Sequence, residues 1–279
     1  MEYNGQLSPS QTTEILREIG HSPVKKFGQN FLVDANIVRK SLELAEVSAG
    51  DTVVEVGPGL GTLTGALLER GAKVYAVEID KRLFEFLKGR FGGNPNLDLI
   101  NADAVEYPLA NLPPDADNFK VVANLPYAIS TPWLDKILAG RLPQKMSLML
   151  QKEAALRFAA RNGSGEFSPI SVLLSEAYDV QTPHKVSAAC FHPRPSVDSM
   201  LLPLSKKPDA YTFAPKTREI MRAVFSKRRK QILSIAKSAG ADSAILLEWL
   251  EASPDLPPDR RPEAIENRHW VNLDKLARK

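Results

Sequence analysis

The chain has 279 residues, with 36 basic against 33 acidic side chains, 43% hydrophobic residues and one cysteine. That length suits one large domain plus a small one, with a sizeable buried core. A single cysteine excludes an internal disulfide, and no apolar run is long enough to span a bilayer or reads as a secretory leader.

In chain order, Ser8-Pro9-Ser10-Gln11 has the form of a capping box opening a short helix, inside an N-terminal extension over residues 1–22. Asp34 to Val47 has helical periodicity, with Asp34 placed as N-cap. Thr52–Val54 predicts a strand, Leu63–Arg70 a helix and Lys73–Val77 a second strand. Leu97–Ile100, Phe119–Ala123 and Ser147–Leu150 predict three more, alternating with helices as in a parallel sheet. From Gln151 the pattern turns helical. Tyr178–Val186 and Ser199–Leu204 are expected to close the sheet as a hairpin-like pair, with the proline-rich Phe191–Val197 loop between them reaching over the site. Pro203–Pro215 reads as a linker, and the remainder as helices with turns at Gly240 and Ser253–Pro258. The expected fold is therefore α/β, a Rossmann-like sheet over residues 1–205, followed by a small all-helical domain over 206–279.

Strand ends carry the chemistry. Glu55-Val56-Gly57-Pro58-Gly59-Leu60-Gly61-Thr62 joins a strand to a helix, and such a turn lets backbone approach a cofactor. A dinucleotide fingerprint needs glycine where Thr62 stands. Glu55 suits a cofactor with a cationic amino-acid end better than one with a pyrophosphate, and S-adenosyl-L-methionine fits. A turn that only packs helix on strand would look the same in isolation. Glu78 ends the second strand, with Asp80 close behind, and an acid there can bind both ribose hydroxyls. Asp103, after the third strand, can accept from an adenine amine. Acids at strand ends are common, and it is the ordered set that carries weight.

Asn124-Leu125-Pro126-Tyr127 follows the fourth strand. Asn-x-Pro is also an ordinary strand-to-loop turn. After a glycine loop it suits chemistry on a flat, weakly nucleophilic amine such as the exocyclic amine of adenine. The Asn124 amide oxygen and a carbonyl beside Pro126 can accept its two N–H groups, and Tyr127 can stack on the ring. Such a grip favours charge that grows as the new bond forms. Cys190 reads as a small packed residue, and nothing in the Asn124 motif offers the thiolate that cytosine-C5 chemistry needs. The histidines, His21, His184, His192 and His269, show no ligand spacing, so no metal is expected.

Charge is uneven. Residues 1–205 hold 20 basic and 23 acidic side chains, and residues 206–279 hold 16 and 10, a net of −3 against +6. A basic C-terminal part points to a polyanion partner. Arg222, Lys227, Arg228, Arg229 and Lys230 form its densest run, and on a helix Lys227 and Lys230 would share a face. An ordinary solvated helix face would carry the same charges.

With these pieces in place the chain resembles the KsgA-type ribosomal RNA adenine dimethyltransferases along nearly its whole length. The matching segments are Lys25–Leu32, the glycine loop, Asn124–Tyr127, Gln151-Lys152-Glu153, Phe191–Ser199 and Phe225–Lys230. The resemblance implies a methyltransferase sheet that binds S-adenosyl-L-methionine through Asn30, Leu32, Gly57, Glu78, Asp103 and Asn124. It implies that Asn124, Leu125, Pro126 and Tyr127 hold the target adenine, with Phe191 stacking on its other face. It places RNA contacts at Lys25, Lys26 and the C-terminal basic run. The implied substrate is a hairpin loop near the 3′ end of 16S rRNA, in the small ribosomal subunit or a pre-ribosomal particle, with two adjacent adenines each dimethylated. A cytoplasmic monomer is expected. Stacking on an extruded base gains about 1–3 kcal/mol, comparable to the few kcal/mol that unpairing costs, so an adenine already in a loop is preferred. The chain departs from the family pattern at Gln231–Ile235, which lacks an expected asparagine, and at Gly163–Pro169.

Three other readings remain open from sequence. A large-subunit dimethyltransferase of the macrolide-resistance type shares the chemistry, although Leu125 in place of isoleucine and the long Phe191 motif argue against it. A small-subunit assembly factor whose methylation is secondary would carry the same site. A NAD-dependent dehydrogenase is disfavoured by Thr62 and by the want of a hydride-site histidine.

Overall fold

A computed structural model describes residues 7–23 and 29–278. The chain divides into two compact units. The first comprises residues 1–137, 141–155 and 180–206, and the second comprises 138–140, 156–179 and 207–279.

The first unit opens with helix α1 (Pro9–Glu18), for which Ser8 and Gln11 form the reciprocal capping box that the sequence predicts. A two-residue strand, β1 (Phe31–Leu32), precedes α2 (Ala35–Leu44), capped by the Asp34 carboxylate on the N–H groups of Asn36 and Ile37. Then come β2 (Thr52–Val56), α3 (Thr62–Glu69), β3 (Lys73–Glu78), α4 (Lys81–Phe91), β4 (Leu97–Asn101), β5 (Phe119–Asn124), α5 (Ser130–Ile137) and β6 (Lys145–Gln151). The five strands β2–β6 pair in parallel in the order β4-β3-β2-β5-β6. β2 and β3 are buried after their first residue, as in a sheet covered on both faces. The order reverses between β2 and β5, and the crevice at the carboxyl ends of such strands is where an open α/β sheet binds its ligand.

Helix α6 (Lys152–Phe158) follows β6 and contains the division between the units. In the second unit α7 (Pro169–Ala177) comes next. The predicted Tyr178–Val186 strand breaks in two, β7 (Tyr178–Val180) and β8 (His184–Val186). A two-residue strand β9 (Phe191–His192) pairs antiparallel with β1, Leu32 opposite Phe191. β10 (Ser199–Lys206) runs antiparallel between β6 and β8, with Ser199 opposite both Gln151 and Val186. β10 therefore takes the first four residues of the stretch read as a linker.

The rest of the second unit is α8 (Pro215–Ser226), α9 (Ile232–Lys237), α10 (Ser243–Glu251) and α11 (Asn267–Ala277). Its core is aromatic. Trp249 and Trp270 lie 5.2 Å apart between centroids, Phe225 packs 5.4 Å from Trp270, and Phe167 packs 6.2 Å from Phe225. Phe167 explains why residues 156–179 group with the helices here, whereas a division at 205/206 assigns them to the catalytic part. Asp274 is fully buried and accepts from the Tyr211 hydroxyl, the Ala214 N–H and Arg278 at 2.6–2.8 Å, which joins the start and end of this helical segment.

Candidate active site

A cleft opens at the carboxyl ends of β2, β3, β4 and β5. Asn30, Leu32, Gly57, Glu78, Asp103, Asn124, Leu125, Pro126 and Tyr127 all line it. The structure thus gathers residues spread over almost a hundred positions: those from Gly57 to Tyr127 stand at or just beyond the carboxyl ends of β2, β3, β4 and β5, and Asn30 and Leu32 come from the β1 segment.

The glycine loop needs its glycines. Gly57 has φ +65°, and a Cβ there would sit 3.3 Å from the Pro126 ring. Gly59 has φ +61°, and a Cβ would meet the Phe31 ring at 3.1 Å. These positive angles favour glycine, and the contacts bring the loop against both the Asn124 motif and the β1 wall.

Two carboxylates face this loop. Glu55 is buried on β2; its Oε2 accepts from the Thr64 hydroxyl at 2.7 Å, and its Oε1 is buried without a hydrogen bond. Burial pushes its pKa up to about 8 against the pull of Thr64, and the nearby Glu78 charge adds to the rise. Glu78 accepts from the N–H of Gly59 at 3.0 Å and of Asp80 at 2.9 Å. Burial pushes it up to about 7 against those two hydrogen bonds. An orphaned carboxylate oxygen lining a cleft fits a cationic group, and a second acid at the next strand end fits a ribose. Asp103 spends Oδ1 on the Val105 N–H at 2.7 Å.

Asn124 donates its side-chain N–H to the main-chain carbonyl of Asn30 at 3.1 Å. That bond commits the nitrogen end of the amide and leaves its oxygen as the acceptor end. Tyr127 opens a single 3₁₀ turn (Tyr127–Ile129), and its hydroxyl lies 3.0 Å from that of Ser199. Burial raises the Tyr127 pKa, which keeps the phenol neutral.

Phe191 is buried in this structure. It does not line the cleft: it is 3% exposed and packs in the core cluster with Leu32, Leu201 and Met149. It pairs with Leu32 of β1, which lines the cleft. The basic run differs from its reading. α8 ends at Ser226, and Lys227 to Lys230 form turns, with the Lys230 N–H bonded to the Lys227 carbonyl at 2.8 Å, so Lys227 and Lys230 do not share a helix face. Arg228 donates to the Gly165 carbonyl at 2.6 Å and lies 4.0 Å from Glu263, an internal tether of the second unit. Arg222, Arg229 and Lys230 are exposed. Lys25 and Lys26 lie outside the described residues.

Some residues of the cleft were not singled out from sequence. Ile79 lines the cleft and is 45% exposed; its signal was an apolar residue between the acids Glu78 and Asp80. Gln29 also lines the cleft; its amide donates to Asp80 at 3.1 Å and its oxygen lies 2.9 Å from His21 Nε2. Phe31, Leu60 and Leu83 line it too, and they pack in one cluster with Leu7, Ile15 and Leu16 of the N-terminal segment. That segment therefore backs the cleft wall. Among the described residues no helix is long and apolar enough to cross a membrane, and no group of three or more His, Cys, Asp or Glu side chains could hold a metal ion.

A glycine-loop cleft at the sheet's switch point, flanked by two buried acids, defines an S-adenosylmethionine-dependent methyltransferase. The comparisons with known proteins agree. A family model described as ribosomal RNA adenine dimethylase matches residues 20–246, and the chain belongs to that family. It is 51% identical over 272 residues to a ribosomal RNA small subunit methyltransferase A of Opitutus terrae, covering 96% of this chain and 98% of that one. It is 37% identical over 284 residues to the protein so named in Moorella thermoacetica, covering 96% and 97%. Among solved structures, a dimethyladenosine transferase from Plasmodium falciparum aligns with a TM-score of 0.71 at 26% identity, covering 87% of this chain and 95% of that one. The 23S rRNA methyltransferase ErmE aligns at 0.64 and 25% identity, covering 90% and 100%.

Proposed function

We propose that this protein transfers methyl groups to the N6 amine of adenines in small-subunit ribosomal RNA, giving dimethyladenosine. The observation that carries this reading is the committed Asn124 amide, set with Pro126 and Tyr127 on the wall of the cleft that also holds the glycine loop and Glu78. The small-subunit substrate is supported by the names of the relatives more than 30% identical to it, and two adjacent adenines in a hairpin loop near the 3′ end of 16S rRNA are the proposed target.

S-adenosylmethionine, when bound, supplies the electrophilic methyl carbon. Glu55 would accept from its ammonium end, Glu78 from the ribose and Asp103 from the adenine amine, while Gly57 would let the main chain approach. Asn30 and Leu32, which line the same cleft, would complete the cofactor site. Asn124 Oδ1 accepts one N–H of the target amine and the carbonyl beside Pro126 accepts the other. Both bonds strengthen as the nitrogen gains positive charge, so they stabilise the transition state more than the ground state. Tyr127 stacks on the base. No strong base is needed at the outset, because the neutral amine attacks with both N–H bonds intact: the new N–CH3 bond would form as the S–CH3 bond breaks, leaving S-adenosylhomocysteine, and one proton is then lost to solvent. The first product retains one N–H and is a substrate for a second round.

The second unit docks the RNA through phosphate contacts from Arg222, Lys227, Arg229 and Lys230, which position the substrate without reading its sequence. The protein acts as a cytoplasmic monomer on the small subunit or a pre-ribosomal particle. The test is incubation of unmethylated small subunits with labelled S-adenosylmethionine, followed by mass spectrometry of the digested RNA for dimethyladenosine.

A further inference from the structure

Ser199 closes the Phe191–Ser199 motif and lies 72 positions from Tyr127, yet the two hydroxyls are 3.0 Å apart. Their surroundings differ. Ser199 is fully buried and held in a strand ladder on both sides, opposite Gln151 and Val186. Its neighbour Asp198 is fixed as well, accepting from the Ala188 N–H at 3.2 Å and pairing with Lys185 at 3.3 Å, while its carbonyl accepts from the Lys152 N–H at 3.1 Å. Tyr127 stands in a three-residue turn outside any ladder, with its ring half-buried at the cleft wall. A ring in that position has two side-chain torsions to settle, and a bond from its far end to a rigid point settles both.

We infer that Ser199 is a positioning residue for methyl transfer, holding the Tyr127 ring in the orientation on which the target base stacks. This rests on the reading of Tyr127 as the platform for the adenine. Packing alone does not call for the pair: alanine and phenylalanine would fill the same two places without burying hydroxyls that must be satisfied. The inference also assigns work to both ends of one motif. Phe191 pairs with Leu32 of the cleft lining, and Ser199 anchors the Tyr127 ring.

The test is a double-mutant cycle on the full-length protein with Ser199→Ala, Tyr127→Phe and the combined variant, measuring kcat on small subunits and the Kd of S-adenosylmethionine. Each single change is expected to lower kcat about tenfold, the scale of one hydrogen bond, with cofactor Kd within about twofold because no cofactor contact changes. The combined variant is expected to be no worse than either single one, since both remove the same bond. Independent losses that multiply to about a hundredfold, or unchanged kcat in both single variants, would overturn the inference. If Ser199→Ala fails to fold, Tyr127→Phe decides the matter from the exposed side of the bond. Tyr127→Ala separates the two levels: normal turnover there removes the platform reading itself, whereas impaired turnover with normal Tyr127→Phe removes only the role of Ser199.

Discussion

The amide nitrogen of Asn124 donates to the carbonyl of Asn30 across 94 positions of sequence. Because that carbonyl can only accept, the bond fixes which end of the Asn124 amide is free. A residue of the β1 approach thereby orients the side chain proposed to hold the target amine. Replacing Asn124 with alanine removes the acceptor and leaves the glycine loop, Glu55 and Glu78 in place. Turnover should fall at least about a hundredfold, the scale of losing one key polar contact to the transition state, with cofactor affinity largely retained. Single-turnover methylation and calorimetric titration of S-adenosylmethionine check this, and near-normal turnover would remove Asn124 from its role.

Glu55 and Glu78 predict a pH dependence of cofactor binding. Their folded-state values, about 8 and about 7, lie above the ordinary 4.5. Their contribution to stability is therefore complete below about pH 4.5 and is lost as pH rises through about 7 and then about 8. A cationic ligand favours the ionised carboxylates and lowers those values, so affinity for S-adenosylmethionine should rise from pH 6 to pH 8. Glu55→Gln should remove the upper part of that rise. Titrations across this range check it, and a flat profile in the unmodified protein would contradict the assignment.

Gly57 touches both halves of the site. Gly57→Ala forces φ +65° on a residue with a Cβ and drives that Cβ to 3.3 Å from Pro126. The expected result is a drop in cofactor affinity together with turnover, and a stability loss of about 1–3 kcal/mol. Denaturant unfolding and steady-state kinetics check both parts.

The basic run separates into two roles. Arg229→Glu with Lys230→Glu should weaken RNA binding and flatten its dependence on salt, since each lost phosphate contact lowers the slope by about 0.7–0.9. Arg228→Ala should instead lower the melting temperature, because Arg228 is tied to Gly165 and Glu263 within the second unit. Filter binding over a salt series and thermal melts distinguish the two; an unchanged slope in the first variant would refute the phosphate role.

Much of the sheet was legible because buried parallel strands are short apolar runs that end in turns, and functional side chains follow those ends. Glu55, Glu78, Asp103 and Asn124, placed at strand ends by the sequence, all line the cleft. The burial of Phe191 was not legible because β9 is two residues long, too short for a pattern to say which way its ring faces. The basic run was misread because nothing local stops α8: there is no glycine or proline after Ser226. Tertiary contacts stop it, with the Ile232 N–H bonded to the Arg260 carbonyl at 2.8 Å and Gln231 drawn into an extended conformation. The Tyr127–Ser199 bond could not be seen in sequence at all, since it depends on the approach of a turn to a strand edge.

The central claim is adenine N6 dimethylation of small-subunit RNA at the Asn124 motif. It is tested most directly by methyl transfer from labelled S-adenosylmethionine to unmethylated small and large ribosomal subunits in parallel, with mass spectrometry of the digested RNA. Dimethyladenosine in small-subunit RNA alone, abolished in Asn124→Ala, is the predicted result. Product confined to large-subunit RNA, or no product from a protein that still binds the cofactor, would contradict it.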